Sequence, residues 1–206
     1  MTYAVRSRQA RCAALGFWPG PIDGIDGKRT HAAYAAAVAS QRAKGLPFAG
    51  PVTRVHWHWT AGGHAANATD RKSYHCLVEG TGFVIWLADP AEHRPHTLNA
   101  NSGAVSVSLC AMAGAVERPF NAGKSPVMPP QMHALARETA KLCLRYDIPV
   151  SRWSTLSHAE VQPTLGISQR QKWDITYLPG MAGPADPVTV GDRIREMVRA
   201  QIETMK

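Results

Sequence analysis

A split constellation constrains this chain more than any other feature. His58 stands in V-H-W-H-W-T-A-G, His158 in S-H-A-E-V, and Asp174 closes the triplet Lys172-Trp173-Asp174. A fold that uses these residues together must bring distant segments to one point. Two imidazoles, a carboxylate and an ammonium are the parts of a hydrolytic zinc site, in which three protein ligands leave a fourth position for water. Such an ion lowers the pKa of water to roughly 7, so hydroxide exists at neutral pH. His56 adds an alternative. It lies two residues before His58 on a strand-like segment, so both rings face the same way. An H-x-H pair can give two ligands to one zinc, and residue chemistry alone admits both.

The surrounding pattern sets the fold class. Residues 52–59 alternate as a strand that ends at the turn Ala61-Gly62-Gly63. Residues 74–78 and 83–88 read as a hairpin across Glu79-Gly80-Thr81-Gly82, and residues 104–110 as a further strand with small side chains suited to close packing. Residues 131–146 carry Leu135, Ala136, Ala140, Leu142, Cys143 and Tyr146 at helical spacing. Strands interleaved with helices predict an α/β fold, a mixed central sheet flanked by helices.

Two further pieces flank this core. Residues 4–45 hold two helical patterns around a glycine-rich loop; Gly16 is placed to end the first helix, and Thr30 to cap an alanine-rich helix running to about Lys44. Beyond a proline- and glycine-rich linker, residues 188–205 form an amphipathic helix with Val190, Ile194, Met197, Val198, Ile202 and Met205 on one side. Asp192, Glu196 and Glu203 dilute a membrane-surface reading of that helix and favour docking on the parent domain. The expected division is a helical module over 1–50, a catalytic domain over 51–180, and a linker with C-terminal helix over 181–206.

Composition excludes several classes. With 206 residues and 45% apolar content the chain can build a real core, yet no stretch reaches the ~20 apolar residues of a membrane span. The net charge is +8, but Lys and Arg are scattered without aromatic interleaving, so no nucleic-acid groove is expected. The N-terminal Met1-Thr2-Tyr3-Ala4-Val5-Arg6 lacks the apolar core of a secretory signal, which predicts synthesis in the cytoplasm. Cys12, Cys76, Cys110 and Cys143 form no C-x-x-C pair and read as free buried thiols.

Five pieces in fixed order then carry a resemblance. They are His58-Trp59-Thr60-Ala61-Gly62, Tyr74-His75-Cys76-Leu77-Val78 with its hairpin, the segment 96–107, His158-Ala159-Glu160-Val161, and Lys172-Trp173-Asp174. From about residue 52 to 180 the chain resembles the zinc-dependent N-acetylmuramoyl-L-alanine amidases of the phage-lysozyme and peptidoglycan-recognition-protein type. The N-terminal piece resembles the peptidoglycan-binding domain 1 repeat through Gln9, Gly16, Phe17, Gly20, Asp23, Gly24, Gly27, Thr30 and Ala33. Cys12 takes that repeat's leucine position, and residues 45–50 stand where its third helix normally follows.

The resemblance implies a zinc ion held by His58, His158 and Asp174, with His56 as a buried neighbour. It gives Lys172 the oxyanion that forms on the amide carbonyl, and Tyr74 a second catalytic role. Some relatives carry a catalytic glutamate on the strand that here reads Val105-Ser106-Val107-Ser108-Leu109, so the tyrosine-plus-lysine version fits this chain. Thr60, His96 and Asn101 are the implied substrate contacts. His75 is expected in the core, and His31, His64, His93 and His133 at the surface or in the cap. The implied activity is cleavage of the bond between N-acetylmuramic acid and L-alanine by zinc-activated water, in the manner of a phage endolysin. Such a protein is made in the host cytoplasm, reaches peptidoglycan after release, acts as a monomer, and neither binds nucleic acid nor inserts stably in a membrane. Two rivals are a non-catalytic peptidoglycan receptor and a zinc peptidase that cuts the stem peptide.

Overall fold

The computed structural model describes residues 2–44 and 52–205. Its centre is a five-stranded sheet in the order β3-β2-β4-β1-β5, built from β1 (Arg54–Trp59), β2 (Cys76–Val78), β3 (Val84–Trp86), β4 (Ala104–Leu109) and β5 (Thr155–Ser157). β1 runs parallel to β4 and β5, and β2 parallel to β4; β3 alone is antiparallel, paired to β2 through the hairpin. The mixed α/β sheet expected from the sequence is therefore present.

Every residue of β1 and β4 is buried, as parallel strands covered on both faces require. Their alternation separates two environments. Val55, Trp57 and Trp59 join Val105, Val107 and Leu109 in the main apolar core. Successive side chains point to opposite faces, so His56 and His58 occupy the other face, in register with Ser106 and Ser108. Two small hydroxyl side chains on β4 leave room there for two imidazoles.

Helices cover the apolar face. α4 (Pro129–Tyr146) contributes Met132, Leu135, Ala136 and Leu142 to the core, and its Thr139 hydroxyl accepts from Trp57 Nε1 at 2.9 Å. Gln131 in its first turn is fully buried and donates to the carbonyls of Val78 and Cys110, both at 3.0 Å, which pins the helix start to the sheet. α6 (Pro187–Thr204) packs along α4 through Val190, Ile194 and Val198, with Asp186 capping it by accepting from Thr189 N at 2.8 Å. α3 (Asp70–Ser73) is a single turn before β2.

The N-terminal piece comprises α1 (Thr2–Ala14) and α2 (Lys28–Ala43). Gln9 is buried between them; its amide donates to Asp23 Oδ1 at 2.9 Å and to the Thr30 hydroxyl at 3.1 Å, while its oxygen accepts from Gly24 N at 2.9 Å. One side chain thus organises the loop between the helices. Thr30 does not cap α2 as expected: the helix starts at Lys28 with Gly27 at its N-cap, and the Thr30 hydroxyl instead donates to the Ile25 carbonyl at 3.1 Å. Residues 45–50, where the repeat's third helix would follow, lie outside the described residues. Ala10 and Ile22 pack with Leu156, Val161, Leu165 and Ile167, so this piece shares an apolar cluster with the sheet edge at β5 and with α5 (His158–Leu165).

The first predicted strand begins at Arg54 rather than at residue 52. The four cysteines are free and buried. Among the described residues no helix is long and apolar enough to cross a membrane.

Candidate metal centre and active-site cleft

The site forms at the carboxyl ends of adjacent parallel strands, where crevices in α/β sheets open. His58 is the fifth residue of β1, and His158 is the first residue of α5, directly after β5. Ser157 is the N-cap of α5, and Glu160 reaches back to accept from Ser157 N at 2.8 Å. The Ala159 N–H of the first turn donates to the Asp174 carbonyl at 2.6 Å. A free helix N–H therefore fastens the loop that delivers Asp174.

Three atoms converge. His58 Nδ1 lies 3.1 Å from His158 Nδ1 and 3.1 Å from Asp174 Oδ2, and His158 Nδ1 lies 3.2 Å from Asp174 Oδ2. Ligand atoms on a tetrahedral zinc with bonds of about 2.0 Å stand about 3.3 Å apart, so the triangle has the right size for that ion. The tautomer of His158 also fits. Gln169 commits its NH2 group to the carbonyls of Leu98 (2.8 Å) and Ile167 (3.2 Å), which leaves Oε1 to accept from His158 Nε2 at 2.9 Å. With a hydrogen on Nε2, it is Nδ1 that His158 turns to the triangle as the ligand atom.

Protonation favours the same use. Burial drives His58 down to about 4, so its ring is neutral at pH 7. Burial alone would raise the Asp174 carboxyl, but the charge and hydrogen bond of His158, with the hydrogen bond from His58, outweigh it and hold the group at about 2. Neutral imidazole and ionised carboxylate are the forms that bind a metal.

A second histidine group lies behind the first: His56, His58 and His96 also bring nitrogens close together. Here the Thr97 hydroxyl already sits among them, at 3.0 Å from His56 Nδ1, 3.3 Å from His58 Nε2 and 2.8 Å from His96 Nδ1. His56 takes no part in the triangle with Asp174.

The triangle opens into a cleft of about 790 Å³ lined by Thr60, Tyr74, His96, Asn101, His158, Lys172 and Asp174. All the candidate site residues except His58 line it, and His58 is fully buried beneath. A neighbouring cavity of about 800 Å³ shares Gln171, Lys172 and Trp173 but holds none of the three candidate ligands. Lys172 is exposed on the cleft wall, near enough for its charge to push the His58 pKa down. Tyr74 has its ring centroid 5.4 Å from that of His58, and burial, aided by the Asp174 charge, keeps its phenol protonated. The rim is locally strained: Ala61, Asn99, Arg170 and Gln171 all line the cleft at φ of 55°, 56°, 52° and 58°. Non-glycine residues held there cluster at functional sites. The last two directly precede Lys172.

Other expectations resolve by contact. His96 is buried, with Nε2 3.2 Å from the Ala104 carbonyl and Nδ1 on Thr97. Asn101 Oδ1 accepts from Thr97 N at 2.7 Å, so part of its capacity holds the loop together. The Thr60 hydroxyl accepts from Gly62 N at 3.1 Å and shapes the turn after β1. His75 lies in the core, with Nδ1 2.9 Å from Ser106 Oγ and Nε2 2.8 Å from the Glu92 carbonyl. His31, His93 and His133 are exposed, and His64 is half-buried. Sequence reasoning missed Thr97 and Gln169, since neither stands at a distinctive spacing. Thr97 lay inside a motif segment as an unassigned position.

The sequence profile described as N-acetylmuramoyl-L-alanine amidase matches residues 48–180. No curated protein matches the chain. Among solved structures, the N-acetylmuramoyl-L-alanine amidase LysC from Clostridium intestinale URNW is 15% identical with a TM-score of 0.49, covering 72% of this chain and 86% of its own. The Ph2119 endolysin from Thermus scotoductus MAT2119 bacteriophage Ph2119 is 15% identical with a TM-score of 0.46, at 72% and 85% coverage. The E. coli N-acetylmuramyl-L-alanine amidase AmiD, in complex with its substrate anhydro-N-acetylmuramic acid-L-Ala-D-gamma-Glu-L-Lys, is 18% identical with a TM-score of 0.44, at 71% of each chain. The profile match takes in all five strands and the three converging residues, and by it this chain belongs to the N-acetylmuramoyl-L-alanine amidase family.

Proposed function

We propose that this protein is a zinc-dependent peptidoglycan hydrolase that cleaves the amide between N-acetylmuramic acid and L-alanine. The observation that carries the reading is the His58–His158–Asp174 triangle, with edges of 3.1–3.2 Å, at the floor of an open cleft in a chain of this family. His58, His158 and Asp174 would hold the ion through Nδ1, Nδ1 and Oδ2. When bound, zinc supplies Lewis acidity, lowering the pKa of a water and polarising a carbonyl.

The chain's own residues do the rest. Lys172 meets the negative charge that develops on the carbonyl oxygen as water adds to the amide carbon. Tyr74, kept protonated by burial, hydrogen-bonds at the reacting centre and relays a proton toward the leaving nitrogen. Hydrolysis leaves a carboxyl on the lactyl group and a free amine on L-alanine. Thr60, His96 and Asn101 form the wall against which substrate lies. The N-terminal module adds wall contact: Ile25 and Trp18, 66% and 56% exposed, give apolar surface to sugar faces. The setting we infer is that of a phage endolysin acting as a monomer on peptidoglycan.

Product analysis on purified cell wall tests the reading. New amino groups on L-alanine are expected. New termini inside the stem peptide would make the protein a peptidase, and no release at all would make it a receptor.

A further inference from the structure

Behind the candidate metal centre, one hydroxyl faces three imidazoles. Thr97 Oγ1 is buried at 2.8 Å from His96 Nδ1, 3.0 Å from His56 Nδ1 and 3.3 Å from His58 Nε2. A hydroxyl has one hydrogen to donate and two lone pairs to accept with. Three contacts use that capacity in full, and the surrounding bonds leave one assignment.

His96 settles the donor. Its Nε2 faces the Ala104 carbonyl at 3.2 Å, an oxygen that can only accept, so Nε2 carries the hydrogen. The ring is buried and its two nitrogens meet only that carbonyl and the Thr97 hydroxyl, with no carboxylate to pair a charge, so it carries a single hydrogen and Nδ1 is bare. The Thr97 hydroxyl must therefore donate to His96 Nδ1. Its lone pairs then face His56 and His58, and each of those rings has to present an N–H. For His58 that hydrogen sits on Nε2, which leaves Nδ1 bare toward His158 and Asp174. For His56 it sits on Nδ1, which leaves Nε2 without hydrogen, and that buried atom has no hydrogen-bond partner. An orphaned acceptor there is the milder outcome, because the alternative tautomer would aim a lone pair of His56 at a lone pair of Thr97.

The backbone holds the hydroxyl in place. Thr97 N donates to Asn101 Oδ1 at 2.7 Å, and Ala100 N donates to the Thr97 carbonyl at 3.1 Å. Residues 97–101 thus close on themselves, and the hydroxyl is fixed before any ligand arrives.

We propose that Thr97 is a positioning residue for His58: its hydroxyl fixes the imidazole so that Nδ1, without hydrogen, is presented to the metal site. The partner of a metal-binding histidine is ordinarily a carboxylate, carbonyl or water. Here a threonine performs that task and ties it to two further histidines. The consequence for metal binding rests on the zinc reading above; the hydrogen-bond pattern itself does not.

The test compares wild type, Thr97→Val and Thr97→Ser. Zinc dissociation constants come from competition with a chromophoric chelator, and thermal unfolding reports on the fold. Valine keeps the branched shape without the hydroxyl and should weaken zinc binding by about 10–100-fold, while serine should stay within about threefold of wild type. Equal zinc affinity in wild type and Thr97→Val would overturn the proposal, as would a serine variant as weak as the valine one. A second measurement needs neither zinc nor a variant. Long-range 1H–15N spectra of the metal-free wild type should place the ring proton on Nδ1 of His56 and on Nε2 of His96. A proton on Nε2 of His56 would overturn the proposal even if Thr97→Val failed to fold. If the wild type bound no zinc, the metal reading would fall, and these spectra alone would decide the role of Thr97.

Discussion

Arg195 of α6 donates to Glu160 of α5 at 2.7 Å, with both side chains shut away from solvent. The same guanidinium donates to the Thr155 carbonyl at 2.6 Å, and Glu160 accepts from Ser157 N at 2.8 Å. The C-terminal helix thus grips both ends of the segment that delivers His158. Gly191 makes the approach possible, since a Cβ there would meet Glu160 Oε2 at 2.1 Å. Removing one partner of such a pair strands a buried charge. Arg195→Met should cost about 3–5 kcal/mol in denaturant unfolding. A loss within error of zero would show that α6 does not hold α5.

Lys172 and Asp174 stand two residues apart and should fail in different ways. Lys172→Ala leaves the triangle intact, so zinc content should stay near wild type while turnover falls by about 10²-fold or more. Asp174→Ala damages coordination, so zinc retention and activity should fall together. Parallel metal analysis and rate measurement separate the two roles. Equal zinc loss in both variants would make Lys172 a support of the site rather than a catalytic group.

Acid should loosen the metal-free protein in a defined window. Burial holds His56 and His96 well below their ordinary value and His58 at about 4. In the unfolded chain each takes a proton near pH 6.5. The folded pKa values are depressed, so below about 6.5 the unfolded state binds more protons and stability falls as pH drops toward the folded values. Each ring adds a slope approaching about 1.4 kcal/mol per pH unit. Asp174 is depressed in the carboxylate range, so its own contribution is present above about 3.9 and is lost only at lower pH. Unfolding free energies of chelator-treated protein should therefore decline steadily between about pH 7 and 5. A flat profile would mean that the three rings titrate in the folded protein as they do in the unfolded chain.

The contrast between β1 and β5 shows what the sequence makes legible. Alternation of Val55, Trp57 and Trp59 against His56 and His58 announces a strand with two distinct faces, and the structure uses both. β5 has only Thr155, Leu156 and Ser157, too short a run for any period to register, yet it sets His158 beside β1. The convergence of His58, His158 and Asp174 was legible only through motif order, because spacing alone admitted His56 equally. Partners that fix the rings were hidden for another reason. Gln169 is anchored to Leu98, 71 residues away, and Arg195 meets Glu160 across 35, so no local pattern marks either one.

The N-terminal module should carry two separable jobs. Ile22 packs with Leu156, Val161 and Leu165, so through this residue the module shares core with the His158 helix. Ile25, in the same loop, is 66% exposed. Ile22→Ala removes buried methyl groups and should cost about 2 kcal/mol or more, measured by thermal or denaturant unfolding. Ile25→Ser touches only surface and should shift stability by no more than about 0.5 kcal/mol. If the module contacts peptidoglycan through this loop, Ile25→Ser should lower the fraction of protein that sediments with purified wall while leaving turnover of a small soluble muropeptide unchanged. Sedimentation equal to wild type, together with a destabilised Ile22 variant, would reduce the module to a cap on the catalytic domain. An Ile22 variant as stable as wild type would instead detach the module from the fold of the site.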